Sequence, residues 1–213
     1  DALRAAYGSS NGRLVLLVHG VAATEEIFKF QQGGDYGSFL ARDLGYSPLY
    51  LRYNSGKSIA DNAVLLSSLL TQMTENFPTA IQEIVLLGYS MGGLIIRATC
   101  HVASTEHAPW MKYVRRAVYV GTPHLGAPLE RIGRLVNRLL GGINDPVTQL
   151  VGQIANLRSA GIKDLGDAGH PVPLLPQIAH YLVAGSLSND RLLSTFFGDA
   201  LVPVPSGTNG AVI

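Results

Sequence analysis

The sequence predicts an α/β protein: a mostly parallel central sheet with helices on both faces. Three observations carry that expectation. Short, nearly continuous apolar runs recur along the 213-residue chain, as in strands buried on both faces. Stretches of helical periodicity lie between them, as βαβ units require. At one strand-to-helix junction stands Gly88-Tyr89-Ser90-Met91-Gly92, a pattern suited to a sharp turn that leaves its central hydroxyl projecting.

The elements follow in order. Leu14-Val15-Leu16-Leu17-Val18 reads as the first buried strand. It ends in His19-Gly20 and a loop of small residues, Val21-Ala22-Ala23-Thr24. Leu49-Tyr50-Leu51-Arg52-Tyr53 reads as a second strand. Ser58 is placed as a helix N-cap, with Asp61 three residues on. Ile59, Ala63, Leu66, Leu70, Met73 and Phe77 fall on one face of the helix it opens, and Pro78 follows the end. Ile84-Val85-Leu86-Leu87 is the strand before Ser90, and Leu94-Ile95-Ile96-Arg97-Ala98 belongs to the helix after it. Ala117-Val118-Tyr119-Val120 and Tyr181-Leu182-Val183-Ala184 are the fourth and fifth strands.

Residues 127–170 break this rhythm. Leu129, Ile132, Val136 and Leu140 suit one helical face, Arg131, Arg134 and Arg138 another, and Val147, Leu150, Val151, Ile154 and Leu157 a second helix. The stretch reads as an inserted helical cap, with transient contact between its basic face and a lipid interface as one consequence.

Composition bounds the rest. With 47% hydrophobic and 15% charged residues, the chain supports one sizeable core and a single domain over 1–213. A net charge of +1 gives no electrostatic case for nucleic acid. The single cysteine, Cys100, has no internal disulfide partner and reads as a core residue. No apolar run is long enough for a transmembrane helix. The absence of disulfides fits cytoplasm and does not exclude secretion. Because the chain opens on Asp1, it reads as processed or trimmed.

Ser90 is the expected nucleophile of a serine hydrolase, which needs a base, an acid to orient the base, and donors for an oxyanion. The Met91 N–H, directly after the nucleophile, is one expected donor. The His19-Gly20-Val21 turn supplies the other, assigned to the Val21 N–H, with Gly20 letting backbone approach the substrate. His19 is expected to hold this loop as a half-buried, hydrogen-bonded side chain. Ala22, Ala23 and Ile27, with cap residues, suggest an apolar acyl pocket. For the acid, Asp145, Asp164 and Asp167 fall in or beside the cap and are poorly placed, which leaves Asp190 and Asp199.

Four segments carry a family resemblance: Leu17-Val18-His19-Gly20, Gly88-Tyr89-Ser90-Met91-Gly92-Gly93, Gly121-Thr122-Pro123-His124-Leu125-Gly126 and Gly198-Asp199-Ala200-Leu201-Val202. Together they resemble the α/β-hydrolase superfamily, most closely bacterial triacylglycerol lipases and the esterases grouped with GPI-inositol deacylases. The resemblance spans residues 14–206. It implies an ester or lipid-ester substrate and a mechanism that requires no metal or cofactor. Some similar lipases hold calcium, but the sequence shows no local ligand cluster to carry it over, and no protein partner is implied. It favours Asp199 over Asp190 as the acid, although Ala200 stands where relatives carry glycine. His124 would brace the loop after the fourth strand.

The resemblance also implies the order serine, aspartate, histidine. The six histidines, His19, His101, His107, His124, His170 and His180, all precede Asp199. The base is therefore expected beyond residue 213, in a longer enzyme of which this chain is a C-terminally incomplete piece. Among the histidines present, His170 is the best of a weak set. Amide or thioester cleavage and acyl transfer use the same residues. A non-catalytic hydrolase-like binding protein is the reading if no later histidine exists.

Overall fold

The computed structural model describes residues 2–30, 32–126, 159–166 and 172–183. Its elements are α1 (Ala2–Tyr7), β1 (Arg13–Val18), a 3-10 turn (Glu25–Phe28), α2 (Tyr36–Leu44), β2 (Ser47–Leu51), α3 (Ile59–Asn76), β3 (Glu83–Tyr89), α4 (Met91–Thr105), a second 3-10 turn (Pro109–Tyr113), β4 (Val114–Val120), α5 (Ala160–Gly166) and β5 (Ala179–Val183). The five strands form one sheet in the order β2-β1-β3-β4-β5. Every adjacent pair is parallel.

The unbroken apolar run of β1 is explained by burial on both faces. Leu14, Leu16 and Val18 point with Ile84 and Leu86 into the larger core, against Leu66 and Leu70 of α3 and Ile95 and Ile96 of α4. Val15, Leu17 and Val85 point the other way, against Phe28 and Tyr46, with Leu40 of α2 packed beside them. Helices thus flank the sheet on both sides.

α3 begins where its cap predicts. The Ser58 hydroxyl accepts the Asp61 N–H at 3.0 Å, and the helix runs to Asn76, with Phe77 as its C-cap. A second acceptor reaches this N-terminus from far along the chain. The Asp164 carboxylate, on α5, accepts the Ile59 N–H at 2.8 Å, satisfying a donor that a helix start leaves orphaned. Asp164, set aside above as an acid, therefore has a capping partner.

β2 is displaced from its expected range. It occupies Ser47–Leu51 rather than 49–53, because Arg52 and Tyr53 leave the sheet to bind Glu25 and His19. Cys100 is buried in the core, and desolvation pushes its thiol up to about 12, so it stays protonated and unreactive. Among the described residues no helix is long and apolar enough to cross a membrane. Of the expected cap, only 159–166 falls within the described residues.

Candidate active site

Ser90 is the residue between β3 and α4. Its backbone lies at φ 54° and ψ −124°, a left-handed conformation that costs a side-chain-bearing residue free energy and is concentrated at functional sites. The conformation is fixed on both sides. The Ser90 N–H donates to the Val120 carbonyl at 2.9 Å, and the Ser90 carbonyl accepts the Gly93 N–H at 3.0 Å.

The motif's glycines are demanded by space. A Cβ on Gly88 would lie 2.5 Å from the Gly93 backbone. One on Gly92 would overlap the Val18 carbonyl oxygen and lie 2.5 Å from that of His19. The first turn of α4 therefore rests directly on the end of β1, which brings the loop after β1 to Ser90. At Gly20 a Cβ would meet the Ser90 Cβ at 3.0 Å and its Oγ at 3.4 Å. The β1 loop and the serine are in contact.

That loop is held by side chains from the stretch after β2. Tyr53 stacks on His19, ring centroids 4.3 Å apart, and its hydroxyl donates to the His19 carbonyl at 2.7 Å. His19 is fully buried rather than half-buried. Its Nδ1–H donates to the Gly20 carbonyl at 2.9 Å, and Nε2 accepts a long bond from the Tyr53 N–H, 3.5 Å. Desolvation holds its pKa below the usual imidazole value, so the ring is a neutral brace. The Ala22 N–H donates to the Ser55 hydroxyl at 3.0 Å. The N–H groups of Val21 and Met91 have no hydrogen-bond partner among the described residues.

His124 is buried on the other side of the elbow, 2% exposed. Its Nδ1 accepts from Arg97 Nη1 at 2.9 Å, and Tyr119 meets its ring edge-on at 4.9 Å. Arg97, on α4, also donates to the Val172 carbonyl. Tyr119 donates its hydroxyl to His180 Nδ1 at 3.0 Å, while His180 Nε2–H donates to the Leu175 carbonyl at 2.9 Å. His180 lies within β5 and not before it. With both ring nitrogens engaged it is unavailable as a base. His101 and His107 are exposed. No described side chain hydrogen-bonds the Ser90 hydroxyl, and His170, Asp190 and Asp199 lie outside the described residues.

Desolvation, then the nearby Arg97 and His180, pushes His124 down to about 4. An unfolded histidine titrates near 6.5. Above that pH neither state binds the proton. As pH falls from about 6.5 towards 4 the unfolded chain binds it and the folded chain does not, so stability falls. The expected loss attributable to His124 is on the order of 3 kcal/mol. Denaturant unfolding across that window should show it, and His124→Gln, which keeps an acceptor for Arg97 without titrating, should flatten the dependence.

A cavity of about 310 Å³ opens beside the elbow, lined by Ile27, Phe28, Tyr36, Leu87, Tyr89, Val120 and Val183. Of the three loop residues expected in the acyl pocket, Ile27 lines this cavity. Ala22 and Ala23 lie elsewhere on the loop. Among the described residues no group of histidine, cysteine or acidic side chains is arranged to hold a metal.

A parallel sheet in this order, flanked by helices and carrying a strained serine between β3 and α4, is the α/β-hydrolase fold. Residues 31–157 match the PGAP1-like alpha/beta domain, and the chain belongs to that family. Solved structures agree on the fold. A Bacillus licheniformis lipase, BlEst2 in its mature form, superposes with a TM-score of 0.57 at 20% identity, over 87% of this chain and 71% of that one. The RedJ thioesterase of the Streptomyces coelicolor prodiginine pathway gives 0.52 at 20% identity, over 87% and 75%. YbtT, a type II thioesterase from the yersiniabactin pathway, gives 0.53 at 14% identity, over 86% and 78%. No curated protein matches the chain.

Proposed function

We propose that this protein is a serine carboxylic-ester hydrolase acting on apolar acyl esters through an acyl-enzyme on Ser90. The observation that carries the proposal is the pairing of a backbone-strained Ser90 with two neighbouring N–H groups, Val21 and Met91, that have no hydrogen-bond partner among the described residues. The Ser90 hydroxyl attacks the ester carbonyl carbon. The hydroxyl proton passes to a histidine, and the carbonyl π electrons move onto oxygen. The Val21 and Met91 N–H groups stabilise that oxyanion. Collapse of the tetrahedral intermediate breaks the bond to the alcohol oxygen, which leaves with the proton. Water then attacks the acyl-enzyme by the same route and releases the acid.

The histidine is assigned to a position after Asp199 in the full protein, with Asp199 orienting it. His19 and His124 are structural supports in this scheme, since each is buried and neither hydrogen-bonds the Ser90 hydroxyl. Residues 127–170 are assigned as a cap over the site. The proposed steps require no metal.

The apolar cavity beside Tyr89 supports an acyl-chain substrate. p-Nitrophenyl esters from acetate to palmitate test this on the full-length protein. Medium to long acyl chains should give the highest kcat/KM, by about ten-fold or more over acetate, since each buried methylene contributes about 0.8 kcal/mol. Preference for acetate would contradict the acyl-pocket assignment. Faster turnover of matched thioesters would move the reading to thioester cleavage.

A further inference from the structure

The loop proposed to carry the oxyanion donor is gripped at two points by one stretch of chain, Tyr53 to Ser55. Tyr53 fixes the His19 carbonyl. Ser55 fixes the Ala22 N–H. Between those anchors stands Val21, buried, its own N–H without a hydrogen-bond partner among the described residues. The grip coincides with strain. Ala22 lies at φ 52°, a left-handed conformation that a Cβ-bearing residue avoids unless other contacts impose it. The Ser55 hydroxyl, 33 residues away in sequence, is the side chain that holds the Ala22 peptide in that orientation.

Ser55 is itself firmly placed. The Asn54 side-chain oxygen accepts the Gly56 N–H at 2.9 Å, and the Lys57 N–H closes the turn on the Asn54 carbonyl at 3.2 Å. Asn62, buried on α3, donates to the same Asn54 carbonyl at 3.1 Å. From the opposite side, α5 packs on the turn. The Gly161 N–H donates to the Gly56 carbonyl at 3.3 Å, and a Cβ on Gly161 would collide with the Ser55 carbonyl and approach that of Lys57 to 2.7 Å. A hydroxyl carried on a backbone anchored in this way can hold a strained partner.

From this we infer that Ser55 is a positioning residue for the oxyanion hole: its hydroxyl, acting on the Ala22 N–H, sets the orientation of the Val21 N–H that receives the developing charge. The inference rests on the serine-hydrolase reading above and adds a residue to it. Ser55 touches no reacting atom. Removing it should loosen a donor that matters only when charge develops, and so lower kcat while leaving KM nearly unchanged.

The test compares Ser55→Ala and Ser55→Thr with the unaltered full-length protein on one p-nitrophenyl ester, alongside thermal unfolding and hydrogen exchange of peptides covering residues 19–24. Ser55→Ala should lower kcat by about 10–100-fold with KM within two-fold, keep Tm within a few degrees, and speed exchange at Ala22. Ser55→Thr keeps the hydroxyl and should restore kcat to within about three-fold and slow the exchange again. An unchanged kcat in Ser55→Ala overturns the inference and leaves the hydrolase reading standing. A threonine variant that recovers Tm and exchange but not kcat also overturns it. Absence of Ser90-dependent hydrolysis in the unaltered protein is the separate result that removes the hydrolase reading, and the oxyanion role of Ser55 with it.

Discussion

Replacing Ser90 with alanine should lower ester hydrolysis by the full-length protein on the order of 10⁴-fold or more in kcat, without unfolding it. The chemical half of that expectation follows from mechanism. Without the hydroxyl no acyl-enzyme forms, and the catalysis that survives loss of a triad member is only what binding and the oxyanion donors supply to water. The structural half follows from the contacts. The elbow is set by backbone bonds, Ser90 N–H to Val120 and Gly93 N–H to Ser90, and the hydroxyl has no hydrogen-bond partner among the described residues. Deleting it leaves both bonds in place, with an alanine in the same left-handed conformation. Circular dichroism and Tm should match the unaltered protein while kcat collapses. A variant that retains more than about a hundredth of the kcat would place the nucleophile elsewhere.

Gly92→Ala should do the reverse and damage the fold before the chemistry. The added methyl would overlap the Val18 carbonyl oxygen and lie 2.5 Å from that of His19. Those atoms are backbone at the end of a central strand. They cannot swing aside like the tip of a long side chain, so α4 must lift off β1 or the elbow must distort. Overpacking in a close-packed core costs about 1–3 kcal/mol, and more where backbone must move. We expect at least about 3 kcal/mol of destabilisation, several degrees or more in Tm, or failure to accumulate as folded protein. Whatever folds should be catalytically poor, because the displaced contact is the one that seats the β1 loop against Ser90. Unfolding in denaturant measures the loss, and a shift below 1 kcal/mol would show that the elbow is less tightly seated than its geometry implies.

Much of the fold was legible because burial on both faces writes itself into β1 and β3 as unbroken apolar runs, and because Ser58 and Pro78 bracket α3 unambiguously. α2 was not legible. Its N-cap is Asp35, and Ser38 completes the capping box where a glutamate or glutamine would be the usual sign. Tyr36, Phe39, Leu40 and Leu44 do recur at helical spacing, but the stripe is confined to one short helix, and Tyr36, Phe39 and Leu44 remain exposed instead of joining the core. The end of β2 was misplaced because Arg52 and Tyr53 look like strand residues and are drawn out of the sheet by partners near His19 and Glu25. Periodicity cannot see such tertiary partners.

The candidate site divides in the same way. The turn at Ser90 and the close approach at Gly20 could be read directly, since a tight strand–helix turn and a close-approach glycine constrain residue type at fixed spacing. The proposed roles of Val21 and Met91, by contrast, rest on backbone N–H groups that leave no mark on residue type. His19 and His124 could be named but not their partners. Tyr53, Ser55 and Arg97 are not legible as supports in the sequence, because a hydrogen bond reaching from Ser55 to Ala22 or from Arg97 to His124 leaves no spacing to recognise. A non-glycine residue in a left-handed turn, such as Ala22, becomes a signal only once its backbone angles are known.

The central claim is that Ser90 is the nucleophile, and covalent labelling tests it most directly. The full-length protein should react with a fluorophosphonate probe, and peptide mass spectrometry should place one phosphonyl adduct on Ser90. Ser90→Ala should take up none. A folded full-length protein that is not labelled, or is labelled equally well in the alanine variant, would contradict the account.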